Sequence, residues 1–508
     1  MTLDDADTLP ELLDRRVAHS GDDHMLIDQD DVLTFADVRA AAWDMAARLA
    51  AMGFDEHSTI AWQLPSISST LITFIALRLL GTRQCPLLMG FRERELGVLL
   101  PATNPDAILV HRSWRGFDHE SLARGVVAGA QLSTSVIVVE DLLSGPAGLG
   151  TWTPPGDPDR IHYMYTTSGS TGTPKVVCHT DRSILTGGFA QSAIYRIDNA
   201  DVAAWITSVG HIGGAVATVQ SLACGNACVL IDRFEKGATA ELLRRHDVSI
   251  INATPAGLEA LLTDQRSVPT RMFPRLRYCA AGGSAKSPTL HAEVQATLGG
   301  RGLLMAYGMT EISAIAMPSL DDSDEQFERT VGTPVPGLSL RILDETGAEV
   351  EPGRTGEIRV RGPMVCDSYL SPTDNADGFD DEGYLRTGDL GSLRADGHLV
   401  VTGRSKDIII RKGENISPRE VEDVLLGMPQ VREVAVVAVA DPAVGERVCA
   451  VVVLHDDSQR IDLTDVIEHC RRAGLMIQKT PEQLEIVVDL PRTALGKVNK
   501  PALRKSLA

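Results

Sequence analysis

The sequence predicts an α/β protein with a large N-terminal domain of parallel α/β sheets, a small β-rich subdomain and a small α/β C-terminal domain. Three observations lead to this prediction. The chain has 508 residues, more than one compact core accommodates. Apolar runs of strand length alternate with helical patterns as far as residue 252. From Val331 onward short strand-like runs joined by tight turns take over, and a separate α/β unit follows Val401 to Asp407.

The first alternating elements lie between residues 34 and 110. Thr34 and Asp37 form a capping-box pattern, and Gly53 ends the amphipathic helix predicted over 34–54. The pattern continues with strands at 59–63, 86–88 and 107–110 and with helices at 68–80 and 93–100. Such alternation is typical of parallel strands joined by right-handed crossovers.

A second alternating series follows in the middle of the chain. It comprises strands at 161–165, 203–207, 227–231 and 248–252, and helices at 182–192, 213–223 and 237–246. Strands at 338–343 and 356–361 then indicate the β-rich subdomain. The last unit combines helices at 418–427 and 462–472 with strands at 431–440, 446–454 and 484–488, and ends in a helix. We therefore place the domains at 1–403 and 404–508.

Composition and charge exclude several classes of partner. The net charge is −20 and no long basic block interrupts it, so neither nucleic acid nor an anionic membrane is expected as a partner. The acidic start Met1 to Asp7 is unlike a secretory signal, and the apolar run Leu71 to Leu80 is too short to span a bilayer. Eight scattered cysteines without a metal-ligand spacing indicate buried thiols in a reducing compartment. We expect a cytoplasmic protein.

A loop rich in glycine and hydroxyl groups follows the strand predicted at 161–165. Glycines let backbone N–H groups approach an anion, hydroxyls add directional donors and a lysine adds charge, so the loop indicates a polyphosphate site. Its residues are Thr166, Thr167, Ser168, Gly169, Ser170, Thr171, Gly172, Thr173, Pro174 and Lys175. A Walker A loop is disfavoured, because Thr173 and Pro174, not a lysine, follow Gly172. Such a loop by itself is equally typical of a surface linker.

Further short motifs follow the loop in a fixed order. They are Ala281-Gly282-Gly283-Ser284-Ala285, Tyr307-Gly308-Met309-Thr310-Glu311, Thr355-Gly356-Glu357-Ile358, Tyr384-Leu385-Arg386-Thr387-Gly388-Asp389-Leu390, Gly403-Arg404-Ser405-Lys406-Asp407, Gly413-Glu414-Asn415-Ile416 and Pro491-Arg492-Thr493-Ala494-Leu495-Gly496-Lys497. Together they resemble the ANL superfamily of adenylate-forming enzymes, which contains acyl-CoA synthetases, adenylation domains and beetle luciferases. The resemblance covers nearly the whole chain past residue 160.

The resemblance implies a reaction with ATP, Mg²⁺ and a carboxylic acid, whose carboxylate attacks the α-phosphate and expels pyrophosphate. It implies that the loop 166–175 holds the β- and γ-phosphates, that Thr310 donates to the α-phosphate and that Glu311 helps to hold Mg²⁺. Asp389 would accept both ribose hydroxyls, and Arg404 would complete the ribose and phosphate contacts. The alternatives are a turn carboxylate for Asp389 and a helix N-terminal charge for Glu311.

The same resemblance assigns the adenine site and the lysine that acts on the acid. Tyr307, in the Tyr307-Gly308 motif, would stack on adenine, with ordinary core packing as the alternative. Gly282 and Gly283 would leave room for the backbone to approach the base. Lys497 would reach the carboxylate and the α-phosphate during adenylation, with a solvated surface lysine as the alternative.

The resemblance further implies a mobile C-terminal domain and a pocket for the acyl group. Lys406 matches the family's hinge position, and Gly413 would line the channel through which the thiol arrives. His211 would border the acyl pocket, unless it is a structural histidine. Gly213 and Gly214 stand where larger side chains would fill that pocket, so we expect a compact apolar acid.

We therefore interpret the sequence as an AMP-forming acid–CoA ligase for a medium-chain, alicyclic or aryl acid. The nearest alternative is an acyl-AMP ligase that loads the phosphopantetheine of a carrier protein. A non-catalytic nucleotide-binding protein is disfavoured because Lys497, Glu311 and Asp389 are all present, and an amino-acid substrate because no aspartate follows Trp205 closely. Leu64 to Ser68 lacks the Asn-Ser usual in the family, and the basic pair Arg411-Lys412 is either solvated or meets CoA phosphates. The oligomeric state stays open, with a homodimer among the options.

Overall fold

The structure is a computed structural model. It describes residues 5–29, 31–144, 152–167, 175–206, 208–282, 289–412, 414–441, 444–456, 460–493 and 497–507. Most of the predicted phosphate loop (168–174), Gly283 and Gly413 lie outside the described residues. No helix within these ranges is long and apolar enough to cross a membrane.

The N-terminal part of the chain builds the first strands of two large sheets. Its helices are α1 (Leu9–Ser20), α2 (Phe35–Ala51), α3 (Ser68–Leu80), α4 (Glu93–Thr103), α5 (His119–Gly129) and α6 (Val139–Ser144). Its strands are β1 (His24–Asp28), β2 (Asp31–Thr34), β3 (Thr59–Gln63), β4 (Arg83–Pro86), β5 (Ala107–Val110), β6 (Ser113–Trp114), β7 (Phe117–Asp118) and β8 (Ser135–Val138).

The middle of the chain adds most of the remaining strands of both sheets. Its strands are β9 (Ile161–Thr167), β10 (Lys175–Thr180), β11 (Val202–Trp205), β12 (Ala227–Leu230), β13 (Ile250–Asn252), β14 (Tyr278–Gly282), β15 (Leu303–Met309) and β16 (Ile312–Met317). Its helices are α7 (Asp181–Tyr195), α8 (Ile212–Cys224), α9 (Ala238–Arg245), α10 (Pro255–Arg266), α11 (Leu290–Thr297) and α12 (Asp324–Arg329).

A four-stranded antiparallel sheet and a C-terminal α/β unit follow. The elements before residue 405 are β17 (Thr333–Pro334), β18 (Ser339–Leu343), β19 (Gly356–Arg361), β20 (Ser368–Tyr369), α13 (Pro372–Gly378), β21 (Leu385–Leu393) and β22 (Leu399–Arg404). The C-terminal unit contains β23 (Ile409–Arg411), β24 (Glu414–Ile416), α14 (Pro418–Leu425), β25 (Val431–Asp441), β26 (Gly445–Leu454), α15 (Leu463–Arg472), β27 (Gln483–Ile486) and α16 (Lys500–Leu507).

Both large sheets have parallel centres; the first has antiparallel strands at both edges and the second at its β20-β10 edge, whereas β8 pairs with β5 in parallel. Within the described ranges the first has the order β17-β16-β15-β14-β13-β11-β12-β1-β2 and the second the order β20-β10-β9-β4-β3-β5-β8. Helices α2, α3, α7 and α8 lie between them and form one core whose side chains come from both sheets. Ligands of parallel α/β sheets bind outside the carboxyl ends of the strands, so this edge is where a site is expected.

The structure confirms the predicted class and several local details. The Thr34–Asp37 capping box is present in both directions at the start of α2, and helix 68–80 has the predicted bounds. The strand predicted at 86–88 is wrong by three residues, because pairing with β3 runs from Arg83 to Pro86 and ends there. All eight cysteines are free thiols, seven of them buried.

Candidate active site

The predicted phosphate loop connects two antiparallel strands. β9 and β10 pair from Thr167 opposite Lys175 to Ile161 opposite Thr180, so the loop 168–174 joins the ends of a hairpin. Thr166 is buried and Thr167 half-buried at this end of β9. The Lys175 ammonium lies 3.0 Å from an Asp374 carboxylate oxygen and 5.0 Å from the centre of the Tyr369 ring. Lys175 is therefore held at the base of the loop by an ion pair.

Thr310 and Glu311 form the turn between β15 and β16. The pairing of these strands shifts between Tyr307 and Met309, and a Cβ on Gly308 would overlap the Ser313 carbonyl oxygen. Only glycine therefore fits at 308. The turn brings both Thr310 and Glu311, each less than a tenth exposed, to the carboxyl edge of the sheet.

Glu311 is a buried carboxylate that accepts a hydrogen bond from a neutral side chain. The Tyr369 hydroxyl donates to its Oε1 at 2.7 Å. Burial raises the pKa of Glu311, an effect that the Tyr369 hydrogen bond and the charges of Arg404 and Lys175 partly offset. A carboxylate in such surroundings gains stability from an arriving cation.

Asp389 lies between the side chains of Tyr307 and Arg404, which come from two other sequence motifs. Its Oδ2 accepts a 2.7 Å hydrogen bond from the Tyr307 hydroxyl, and its Oδ1 accepts one of 2.8 Å from Arg404 Nε. Residues 389 and 404 face each other across β21 and β22. The Asp389 charge raises the pKa of Arg404, and burial followed by that charge raises the pKa of Tyr307. Asp389 is therefore fixed from both sides.

Lys497 comes from the last C-terminal motif and enters the same site. Burial of the ammonium and the charge of Arg404 lower the pKa of Lys497, whereas Asp389 and Glu311 act in the opposite direction. The residue as a whole still presents surface to solvent. Lys497 is thus a surface residue whose ammonium is near enough to Arg404, Asp389 and Glu311 for their charges to act on it.

His211 caps the helix that borders the site. Its Nδ1 accepts a hydrogen bond of 3.3 Å from the backbone N–H of Gly213 at the start of α8. Burial and the charge of Lys497 lower the pKa of His211 to about 4. A neutral imidazole is required, because a protonated Nδ1 could not accept this hydrogen bond.

The two glycines after His211 have different surroundings. A Cβ on Gly214 would overlap the carbonyl oxygen of Val209, so glycine is needed there for the turn itself. A Cβ on Gly213 would meet only His211 Nδ1, at 3.7 Å. The open space that we predicted beside His211 therefore belongs to Gly213.

The remaining predicted residues lie around this edge. Gly282 ends β14, where a Cβ would lie 3.1 Å from the Ala306 carbonyl oxygen. Lys406 is exposed in the short 3₁₀ turn Ser405–Asp407 between β22 and β23. Arg411 of the predicted basic pair forms two hydrogen bonds with Glu482, at 2.9 and 2.7 Å, so the charge of this residue is already paired.

Sequence reasoning missed two side chains that support the turn at Thr310 and Glu311. His179 Nε2 donates to the Thr310 carbonyl oxygen at 2.8 Å, and burial lowers the pKa of His179 to about 4. Tyr369 binds Glu311, as described above. His179 could have been noticed in the sequence, because it is a histidine within an otherwise apolar strand at 176–180. No pattern around Tyr369 indicated that it would contact Glu311.

The site thus gathers the carboxylates of Glu311 and Asp389, the paired Arg404 and the nearby ammonium of Lys497 at the carboxyl edge of a parallel sheet. Such an arrangement suits a nucleotide polyphosphate and a second, carboxylate-bearing substrate. The family model described as AMP-binding enzyme matches residues 13–370, and that of the AMP-binding enzyme C-terminal domain matches 420–497. The chain belongs to the AMP-binding enzyme family.

Individual relatives span almost the full length of this AMP-binding enzyme. It is 33% identical to sulfoacetate–CoA ligase of Cupriavidus necator, over 97% of both chains. It is 31% identical to salicyl-AMP ligase / salicyl-S-ArCP synthetase of Mycobacterium tuberculosis, over 94% of this chain and 85% of that one. O-succinylbenzoate coenzyme A synthetase of Bacillus subtilis, solved with ATP and a magnesium ion, superposes with a TM-score of 0.86 at 29% identity, covering 98% of each chain.

These similarities confirm the predicted ANL superfamily and the predicted fold. The AMP-binding enzyme is an adenylate-forming enzyme of the AMP-forming acid–CoA ligase type. The individual roles assigned to site residues, the domain boundary at 403/404 and the cytoplasmic location stay predictions.

Proposed function

We propose that this enzyme activates a medium-chain, alicyclic or aryl carboxylic acid with ATP and then transfers the acyl group to the thiol of CoA. The observation that carries the proposal is the hydrogen-bonded unit of Tyr307, Asp389 and Arg404. The Lys497 ammonium is near enough to Arg404, Asp389 and Glu311 for their charges to act on its pKa. A cation there can meet both a carboxylate and the phosphate that it attacks.

In the first step a carboxylate oxygen of the acid bonds to the α-phosphorus of ATP, and the bond to pyrophosphate breaks. Negative charge spreads over the phosphate oxygens as this occurs, so positioned donors and cations lower the barrier. Lys497 stabilises that charge, Thr310 donates its hydroxyl to the α-phosphate, and Lys175 with the loop 166–175 holds the phosphates that leave. His179 acts through Thr310 as a positioning residue, because its hydrogen bond fixes the carbonyl of that turn.

Asp389 and Tyr307 bind the nucleoside in this proposal. Asp389 accepts the ribose hydroxyls, and Arg404 keeps the carboxylate in place through its 2.8 Å hydrogen bond. Tyr307 presents its ring to adenine while its hydroxyl is tied to Asp389. Gly282 and Gly283 leave the approach to the base open.

Glu311 fits a magnesium ion that arrives with ATP. Within the described ranges no group of three or more His, Cys, Asp or Glu could hold a metal, so the protein supplies few ligands. Mg²⁺ characteristically uses one or two carboxylates together with substrate phosphates. Glu311, a buried carboxylate whose pKa is raised by burial, is the residue that would hold it. The ion would neutralise phosphate charge during the transfer.

The second step requires another arrangement of the C-terminal domain. The thiol sulfur attacks the acyl carbonyl and AMP leaves, while Lys497 is no longer needed at the α-phosphate. Lys406, in the exposed 3₁₀ turn between the domains, would absorb the backbone rotation, and Gly413 would then line the thiol channel.

The acceptor is CoA in this proposal, and a carrier-protein phosphopantetheine is the alternative. Relatives of both kinds match the chain with similar identity. An acid-dependent ATP–pyrophosphate exchange screen tests the activation step, and thioester formation with CoA or with a phosphopantetheinylated carrier protein tests the acceptor. Exchange without any acid specificity, or its absence across a broad panel, would overturn the activation step. Thioester formation on the carrier alone would overturn the choice of CoA.

A further inference from the structure

A small cavity lies beneath α8, away from the nucleotide-binding residues. Its volume is about 10 Å³, enough for one water molecule. One wall is the sheet face formed by β11, β12 and β13, and the other is α8. Most of the lining is apolar, as Ala203, Trp205 and Ile250 illustrate. Three residues with side-chain amides nevertheless line it, Gln220, Asn226 and Asn252.

These amides have unused hydrogen-bonding capacity. Asn226 is 2% exposed, and its Oδ1 has no hydrogen-bond partner in the part of the chain that the structure describes. Its Nδ2 donates to the Ala227 carbonyl oxygen at 3.3 Å and approaches Cys228 Sγ at 3.8 Å. Gln220 and Asn252 are half-buried, and their side chains form no hydrogen bond among the described residues. An unpaired buried amide oxygen is costly, so a hydrogen-bond donor that reached Asn226 would be bound favourably.

A stripe of half-buried residues connects this cavity to His211. Gly213, Ala217 and Gln220 follow one another at spacings of four and three, so they lie on one face of α8. All three are half-buried, whereas their neighbours Ala215, Val216 and Val219 are buried. Because Gly213 and Ala217 are small, no bulky side chain covers that face of α8 between His211 and Gln220.

The length of this path is set by the helix. Seven residues separate Gly213 from Gln220, which corresponds to about 10 Å along the helix axis. The path starts at Gly213, where an added Cβ would meet only His211 Nδ1, and it ends at Gln220 and Asn226, which line the cavity. The charge of Lys497 lowers the pKa of His211, so Lys497 is near the start of the path. An acid whose carboxylate lies at Lys497 would therefore bring its far end to Gln220 and Asn226.

We infer that the acid bears a hydroxyl group at its distal end, about 10 Å from the carboxylate, and that Gln220 and Asn226 bind this hydroxyl. A hydroxyl both donates and accepts, so it satisfies the free end of the Asn226 amide in either orientation. The inference rests on the proposed function, since it concerns the acid of that reaction. The acyl pocket then ends in polar groups, whereas His211 and Gly213 alone suggest a purely apolar pocket.

Matched pairs of acids test the inference. Pyrophosphate exchange is measured with octanoic and 8-hydroxyoctanoic acids, and with 4-phenylbutanoic and 4-(4-hydroxyphenyl)butanoic acids. We expect kcat/KM to favour the hydroxylated member of at least one pair by about tenfold or more, since a site built to bind a hydroxyl rejects the analogue that lacks it. Equal or higher kcat/KM for the unsubstituted acids in both pairs would overturn the inference. Exchange with any of these acids would still support the proposed function. A failure of the hydroxyl inference can therefore be distinguished from a failure of the proposed acid activation.

Two variants locate the hydroxyl-binding groups. In Gln220→Leu and Asn226→Leu the ratio of kcat/KM between hydroxylated and unsubstituted acid should fall to about one or invert. Thr218→Val is the matched control on the opposite, buried face of α8, and its ratio should equal that of the wild type. Gln220 is half-buried, so its variant is informative even if Asn226→Leu does not fold.

Ala217→Leu tests the path itself. A larger side chain midway along α8 should exclude both long acids while shorter acids are still activated. An unchanged length profile in Ala217→Leu, or an unchanged hydroxyl preference in Gln220→Leu, would overturn the inference and leave the cavity as a water site only.

Discussion

The Tyr307 hydroxyl donates a 2.7 Å hydrogen bond to Asp389, a residue 82 positions later on a strand of another sheet. Arg404 binds the second oxygen of the same carboxylate. This relationship joins three motifs that are far apart in the chain into one nucleotide-binding unit. It also predicts that Asp389 and Tyr307 contribute to ATP binding to different degrees.

Asp389→Asn should raise KM for ATP by roughly ten- to a hundredfold, because a hydrogen bond to a charged group contributes about 1.5–3 kcal/mol. Tyr307→Phe removes only one neutral donor and should raise it less, by about tenfold at most. Pyrophosphate exchange at varied ATP concentrations measures both values. Asp381→Asn, at an exposed residue just before β21, is the control and should leave KM for ATP unchanged. The reverse order of the two effects would contradict the arrangement.

Lys497→Ala should reduce acid-dependent pyrophosphate exchange by a hundredfold or more, a typical loss for an electrostatic contact made in the transition state. Thioester formation from supplied acyl-adenylate should remain largely intact, because this step does not need the ammonium. Lys505→Ala changes an exposed lysine of α16 and should match the wild type in both assays. Normal exchange in Lys497→Ala would remove Lys497 from the proposed reaction.

The two glycines beside His211 should respond differently to substitution. Gly213→Leu enters open space, so the protein should fold and bind nucleotide while larger acids are excluded, at a cost of roughly 1–3 kcal/mol in activation. Gly214→Ala would press a methyl group against the Val209 carbonyl and should lower Tm. Thermal unfolding and an acid panel measure both effects. A wild-type Tm for Gly214→Ala would contradict the packing described for that turn.

Lys406→Pro should keep pyrophosphate exchange and lose thioester formation by orders of magnitude, with acyl-adenylate accumulating on the enzyme. Proline fixes φ at 406 and restricts the preceding residue, so it should hold the domains in one arrangement. Lys406→Ala removes the side chain alone and should retain both half-reactions. Quench-flow measurement of adenylate and thioester separates the steps. A folded proline variant with normal thioester formation would place the hinge elsewhere.

Acidification should destabilise the protein between about pH 6.5 and pH 4. Burial lowers the pKa of His162 and His179 to about 4, whereas an unfolded histidine titrates near 6.5. The unfolded chain then binds more protons in this window, so stability is fully present above about pH 6.5 and is lost as pH falls towards 4. Tm measured against pH tests this. His162→Gln should flatten the decline, whereas His57→Gln, at a side chain 79% exposed, should not.

A large part of the fold follows from near neighbours in the sequence. The Thr34–Asp37 cap, the end of α3 at Gly81 and the strand at 59–63 depend on residues a few positions apart, and each was predictable. The order of the motifs likewise predicted the family, and with it Thr310, Glu311, Asp389 and Lys497. Helix α1 was not predicted although Thr8, Pro10 and Gly21 mark its ends, and the β15–β16 hairpin was not predicted because only two residues, Thr310 and Glu311, separate its strands.

The sequence by itself determined which chemistry-bearing residues the protein has and in what order they occur. Only the tertiary structure decided their partners: Tyr369 with Glu311 across 58 residues, and His179 with Thr310 across 131. It also brought Lys497 near enough to His211 for its charge to lower the pKa of the imidazole. It also decided that glycine is needed at 214 to avoid the Val209 carbonyl oxygen, and that Asn226 lines a cavity while its Oδ1 has no hydrogen-bond partner among the described residues. Local caps and periodicities depend on neighbours a few bonds away, whereas these pairings depend on sheet order, strand register and domain position, which no short stretch of sequence specifies.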